Sequence, residues 1–328
     1  MRRPRPLPEN LRDRAFHIDD ARRAGVTAGR LDAGDLAIPY SGVRVPAGRD
    51  LESLAARARQ FAERMRPWQF FSHSTALALY GAPLPADRVS QRLHVAAHRP
   101  DREPRVAGVV GHRLASGLAD LREVGGLRVE APARARRHVA SWWDHEHLVA
   151  AGDFLVGERG LLTLDDLAAE VARGPGRGQA ALEAALSDVR VGAESPAETR
   201  LRLVLCAAGL PEPALNLTLR APDGRFVARL DLAYERSRVA WSTTGVSTPR
   251  IGRNSSGTPT GGMTSVRRGG CWSASFAITC TVTGRPPFVW SRVRSTRRDG
   301  PHDARCPTRS GYRGRIPGPS GTSATGCG

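Results

Sequence analysis

Two acidic residues in the third quarter of the chain carry the pattern closest to chemistry. Asp231 lies in Phe226-Val-Ala-Arg-Leu-Asp-Leu-Ala-Tyr234, and Glu198 lies in Glu194-Ser-Pro-Ala-Glu-Thr-Arg-Leu-Arg202. A carboxylate among apolar neighbours is costly to bury alone, so such an Asp is either matched by an arginine or used as a metal ligand. Both readings of Asp231 stand at this point, with Arg229 or an arginine from the Glu198 segment as the ion-pair partner. For Glu198 the structural explanation is direct. It falls three residues after Ser195, the spacing of a capping box, in which the carboxylate reaches back to the backbone N–H of the cap.

The elements that must position these two residues are well punctuated. Ala193 to Gly209 reads as a helix with Ser195 as N-cap, Pro196 at the first helical position and Gly209 as the stop. Leu215 to Arg220, the turn Ala221-Pro-Asp-Gly224 and Phe226 to Tyr234 read as a β-hairpin. By the two-residue period, Phe226, Ala228, Leu230, Leu232 and Tyr234 share one face of the second strand, and Val227, Arg229, Asp231 and Ala233 share the other.

Upstream, His17 to Ala24 and Ala28 to Leu36 read as two short helices, and Ile38 to Pro46 as a small strand pair, the order in which helix-turn-helix and β-wing follow each other in many DNA readers. A short capping subdomain is the plainer alternative. Leu51 to Met65 has the apolar spacing of an amphipathic helix, and Ser72 to Gly81 reads as a helix with capping hydroxyls in front and a glycine stop. His73, at the start of that helix, is read as a capping or packing residue before a functional one. Leu93 to Ala97, Val106 to His112 and Leu127 to Val129 read as strands. Arg134 to Trp143, His145 to Gly157, Leu164 to Ala172 and Gln179 to Leu186 read as helices, with Asp165 and Asp166 as first-turn acids.

Composition excludes some chemistry. The chain has 328 residues and a formal net charge of +17, and all 49 of its basic residues are arginine, which rules out a catalytic lysine or a phosphate-loop lysine. The charge is concentrated at the end. Residues 241–328 hold 13 Arg against Asp299 and Asp303, a net +11, which leaves +6 for the first 240 residues. That is compatible with a nucleic-acid partner without arguing strongly for one. Four of the five cysteines (Cys271, Cys280, Cys306, Cys327) are also in this tail, at spacings that suit neither a zinc CxxC pair nor a disulfide framework. No apolar run approaches a membrane span and the first residues lack the apolar core of a signal peptide, so a cytoplasmic location without a membrane partner is expected.

Glu194-Ser-Pro-x-Glu-Thr-Arg-Leu-Arg202, Ala208-Gly-Leu-Pro-Glu-Pro213 and Pro222-Asp-Gly-Arg-Phe-Val-Ala-Arg-Leu-Asp-Leu-Ala-Tyr234 together resemble the C-terminal domain of a large actinobacterial family, a domain of unknown function. That domain is similar to very-short-patch-repair endonucleases of the PD-(D/E)XK fold. The blocks Ser72-His-Ser-Thr-Ala76 and Gly111-His-Arg113 resemble the front half of the same family, whose N-terminus is similar to AbiEi-type antitoxins of toxin–antitoxin systems. The resemblance covers residues 17 to 240. It implies Mg2+-dependent cleavage of DNA, with Asp231 as catalytic residue and metal ligand, Glu198 as a catalytic residue orienting the attacking water or a metal-bound water, and a second metal acid on the strand that follows. In the family that strand reads Val-Glu-Tyr-Asp-Gly-x-Gln-His. Here the sequence is Ala240-Trp-Ser-Thr-Thr-Gly-Val-Ser-Thr-Pro249.

With G/C-favouring codons, a reading begun at the third base of codon 240 restores Val-Glu-Tyr-Asp-Gly-Gly-Gln-His in the right place. A one-base deletion near codon 240, and hence an out-of-frame tail, is therefore inferred. The tail's Gly, Ser, Thr, Arg and Pro content is that of disordered chains. The expected architecture is α+β: a winged-helix-like part over residues 1–50, a mixed middle domain over 51–188, a truncated endonuclease-like domain over 189–240 whose sheet ends at an unpaired edge, and a disordered tail over 241–328. The expected function is an endonuclease-family protein that is itself inactive. The alternative is an antitoxin-like DNA-binding regulator without catalysis. DNA is the expected partner, a small-molecule ligand is not expected, and no motif specifies an oligomeric state.

Overall fold

The computed structural model describes residues 4–85, 92–115, 121–158, 160–220, 222–237, 239–241 and 277–278. Among the described residues it is a mixed α and β architecture with three separate sheets. In the first, β1 (Phe16–His17), β3 (Val43–Pro46) and β2 (Leu36–Ala37) pair antiparallel in the order β1-β3-β2, beside α1 (Ile18–Arg23) and α2 (Ala28–Leu31). Leu7, Leu11, Phe16, Ala21, Val26, Leu31 and Leu36 form their common core. The order helix, turn, helix, hairpin is the one expected, but α2 stops five residues early. Asp32-Ala-Gly34 breaks the helical run, and Arg30 clamps Asp35 through two hydrogen bonds of 2.8 Å each, which turns the chain into β2.

Helix α3 (Leu54–Ala62) starts at Ser53, whose hydroxyl accepts the Ala56 N–H at 3.1 Å. It leads into a five-stranded sheet of β4 (Gln69–Phe71), β5 (Leu93–His98), β6 (Val109–Leu114), β7 (Leu121–Val124) and β8 (Leu127–Glu130), in the order β6-β5-β4-β8-β7. The pairs β4/β8 and β5/β6 are parallel and the other two antiparallel. Strands β4 and β7 do not stand out in the sequence. The central β4 has three residues, all buried, too few to display a period. Helices α4 (His73–Leu79) and α5 (Pro132–Val139) follow β4 and β8 directly, so the C-terminal ends of two neighbouring parallel strands open into helix starts side by side. Phe61, Phe71, Leu77, Val95, Val129, Val139 and Leu148 are part of the core between sheet and helices.

Helices α6 (His145–Val156), α7 (Leu164–Ala172), α8 (Gln179–Asp188) and α9 (Pro196–Ala207) complete the helical part. On α7, Thr163 and Asp166 form a reciprocal capping box, so Asp166 serves the helix start as its position suggests. Helix α9 is fastened to α6 by a buried ion pair. Arg202 Nη2 lies 3.0 Å from Asp153 Oδ2, both side chains are 1% exposed, and Asp153 also accepts from Thr199 Oγ1 at 2.8 Å and from the Arg190 N–H at 2.7 Å. Burial raises the Asp153 carboxyl above its ordinary range, and Arg202 opposes that rise. The expected boundary at residue 188 is thus crossed by a tight polar lock.

The last sheet has the order β12-β11-β10-β9, from β9 (Ala214–Arg220), β10 (Phe226–Tyr234), β11 (Val239–Trp241) and β12 (Ala277–Ile278). On β10, Leu230 and Leu232 are buried as the alternation requires, whereas Phe226 and Val227 are both exposed. A register shift between Phe226 and Ala228 breaks the period there. Strand β10 is paired on both sides, so it is not the open edge expected from the sequence. The two strands that continue the sheet, Val239-Ala-Trp241 and Ala277-Ile278, contain no acidic residue. Apart from Trp241 and these last two residues, the tail lies outside the described residues, and so does the expectation of disorder there.

Candidate functional site

The carboxylates singled out in the sequence sit where α9 meets the β9–β10 hairpin. Glu198 is buried, and its two oxygens are committed to the protein. Oε1 accepts from Ser195 Oγ at 2.7 Å, and Oε2 accepts from the Glu194 N–H at 2.9 Å and from Asn216 Nδ2 at 3.1 Å. Ser195 Oγ in turn accepts the Glu198 N–H at 3.3 Å. The capping role therefore holds, with the acid closing on Glu194 rather than on the cap residue. Asp231 is partly buried, between Leu230 and Leu232, whose strand partners Leu217 and Leu215 flank Asn216. Arg229, one of the proposed partners of Asp231, instead pairs with Glu158 at 3.2 Å and with Glu194.

These residues do not fit a Mg2+ cradle. Oε2 of Glu198 has both lone pairs engaged by protein donors, and β11 brings no second acid next to β10. Neither Glu198 nor Asp231 takes part in the three-residue ligand cluster found among the described residues, which lies elsewhere.

That cluster is built at the end of the five-stranded sheet. Phe71 of β4 and Val129 of β8 are register partners, so the next residues on the two strands, Ser72-His73 and Glu130, emerge together. Glu130 is 1% exposed; its Oε2 accepts the His73 N–H at 3.0 Å, and its Oε1 lies 2.8 Å from His138 Nδ1 of α5. Strand β5 adds His94 and β6 adds His112, whose ring nitrogens Nδ1 and Nε2 are 2.9 Å apart. The rings stack on one another. His73 has its centroid 3.7 Å from His112, 4.8 Å from His138 and 5.1 Å from Trp142. His73 also has φ +53°, a left-handed conformation uncommon for a residue with a side chain.

Burial sets the charge state of these rings. It is the main cause that holds His73 far below the usual imidazole range, with His112, His138 and His94 adding to it. It pushes His94 down to about 4, helped by Arg92, and His112 down to about 4, helped by His94 and His138. At neutral pH these three rings are uncharged.

The cluster opens into a cavity of about 420 Å³ lined by His73, His112, His138, Trp142 and the arginines Arg134, Arg137, Arg173 and Arg177. Glu170 is shared by three of the arginines, at 3.1 Å from Arg134, 2.9 Å from Arg137 and 3.0 Å from Arg173. Arg137 also donates to the carbonyls of Val171 and Gly174, which fixes the loop forming the cavity wall, and Gly174 there has φ +110°. Four guanidiniums against one carboxylate make the rim cationic. From the sequence, His73 reads as a capping or packing residue before a functional one, and His73 and His112 fall in the blocks Ser72–Ala76 and Gly111–Arg113 that carry the resemblance, but nothing there connects them to Glu130, His94 or His138. The available signal was the placement of His73 and Glu130 immediately around strand ends, and it becomes visible only once β4 and β8 are known to be parallel neighbours.

No protein-family model matches the chain, and no curated protein does. Among solved structures, the chain is similar to the crystal structure of the RV2827C protein from Mycobacterium tuberculosis, with 16% identity and a TM-score of 0.38, covering 65% of this chain and 86% of that one.

Proposed function

We propose that this chain is a DNA-binding protein of endonuclease-like build that does not cleave. The observation that carries the reading is the strand beside Asp231: β11 pairs with β10 and brings no second acid, while Glu198, on a helix packed against the same hairpin, gives its oxygens to a helix cap and Asn216. The described strand beyond Asp231 supplies no acid, which agrees with a reading frame lost near codon 240. In the restored frame a glutamate returns to that strand.

A plasmid-nicking assay tests this. The chain as it stands, with Mg2+ or Mn2+, leaves supercoiled DNA intact, while a frame-restored version nicks it and loses that activity on Asp231→Ala. Metal-dependent nicking by the present chain that disappears with Asp231→Ala would contradict the proposal.

The second reading, an antitoxin-like regulator, draws on the N-terminal helix-turn-helix and hairpin. The exposed arginines of α1 are engaged locally, Arg22 with Asp19 at 3.1 Å and Arg23 with Asp20. Exposed pairs of this kind are worth under about 1 kcal/mol, so exchanging them for phosphate is cheap. Sequence-selective retardation of duplex DNA, lost on Arg22→Ala with Arg23→Ala and accompanied by no cleavage in the frame-restored protein, favours this reading.

A further inference from the structure

We propose that His73, Glu130 and His138 bind a divalent transition-metal ion of the zinc type, leaving one coordination position open toward the arginine-rimmed cavity. The site is independent of the endonuclease reading and lies on a different sheet.

Three observations converge on it. The ligand atoms of the three residues all lie within 4.8 Å of one another. A four-coordinate ion with nitrogen and oxygen ligands at about 2.0–2.2 Å sets its ligand atoms roughly 3.3 Å apart, so small side-chain rotations close the site. Second, His138 Nδ1 is buried and has no hydrogen-bond partner, although Glu130 Oε1 is only 2.8 Å away. Two atoms this close and yet misaligned for donation fit two ligands of a common ion, and a buried nitrogen left without a partner is otherwise unfavourable. Third, His73 is held in its left-handed conformation by the bond from its N–H to Glu130 Oε2. Backbone strain of this kind gathers at sites where a side chain must be aimed.

Ser72 and the cavity complete the assignment. Ser72 is fully buried and its Oγ is 3.0 Å from His73 Nδ1, which leaves Nε2 of that ring for the ion. Two imidazoles and one carboxylate suit zinc and its first-row neighbours better than Mg2+ or Ca2+, which prefer all-oxygen shells. Three protein ligands with a free fourth position form the arrangement of reactive rather than purely structural zinc sites. The four arginines around the opening favour an anionic group there.

The test uses the full chain, stripped with a chelator and titrated with Zn2+ alone against a chromophoric competitor, with Co2+ as a spectroscopic substitute. One ion binds per chain with sub-micromolar affinity, and Co2+ gives a four- or five-coordinate visible spectrum without thiolate bands. His138→Ala, with an unchanged circular dichroism spectrum, weakens binding by at least about 100-fold, and Ser72→Ala weakens it by about 10- to 100-fold as loss of a ligand-orienting contact does. His145→Ala, which removes a histidine paired with Asp188 away from the cluster, leaves it unchanged. Binding no tighter than tens of micromolar, affinity retained in folded His138→Ala, or a thiolate-to-cobalt band marking the tail cysteines would each overturn the proposal.

Discussion

The two acid-bearing regions of this molecule behave oppositely. At the β9–β10 hairpin, carboxylates with a recognisable spacing turn out to be engaged, Glu198 in three hydrogen bonds to its own neighbourhood. At the end of the five-stranded sheet, histidines with no metal-ligand spacing in the sequence, spread from residue 73 to residue 138, converge with Glu130 into a stacked cluster beneath a cationic cavity. Local spacing reports what a residue can do for its own helix. Only topology reports what residues from several strands can do together.

The largest expected effect tests whether the two regions belong to one cooperative unit. Asp153→Ala removes the buried counter-charge of Arg202 between α6 and α9, leaving it only the partly exposed Glu212 at 3.3 Å, and should cost about 3–5 kcal/mol in denaturant unfolding. A loss below about 1 kcal/mol would mean that α9 and its hairpin are not locked to the helices beside the histidine cluster. Next, Glu198→Ala should destabilise by about 1–3 kcal/mol, since it leaves buried donors unmet and removes a cap. A rise in stability would instead mark Glu198 as a residue kept for function at a structural cost.

The histidine region has its own pH signature. In the folded state His94 and His112 titrate near 4, below the ordinary imidazole value near 6.5 that the unfolded chain recovers. The unfolded state therefore holds more protons between these values, so the stabilising contribution is complete above pH 6.5 and is lost as pH falls toward 4. Melting temperatures of the metal-free chain should decline across that window, and less steeply in His94→Gln. A flat profile there would contradict the buried neutral cluster. The smallest effect concerns Arg229→Ala, which should change stability by less than about 1 kcal/mol because its pairs with Glu158 and Glu194 are exposed. A much larger loss would restore Arg229 as the partner of Asp231.

What the sequence made legible follows the same division. Elements with their own punctuation were readable: α9 from Ser195 to Gly209, α7 behind its Thr163–Asp166 box, α6 at His145, and the hairpin around Pro222-Asp-Gly224. So was the mixed α and β class. Short central strands were not, because three buried residues such as Gln69-Phe-Phe71 contain no alternation. The site at their ends was hidden for that reason. His73 next to Ser72 has the look of a capping residue, and Glu130 and His138 are ordinary residues in a strand and a helix. It takes the parallel pairing of β4 with β8, a contact across more than fifty residues of chain, to bring them together. Conversely, the pairing of β10 on both sides was not legible because Val239-Ala-Trp241, only three residues long, displays no alternation.

The most direct measurement is anomalous diffraction at the zinc edge from crystals of the full chain grown with Zn2+. The account predicts one strong peak bounded by His73, Glu130 and His138, and none beside Asp231 and Glu198. A peak at Asp231 with an empty histidine cluster would reverse the assignment of the two regions.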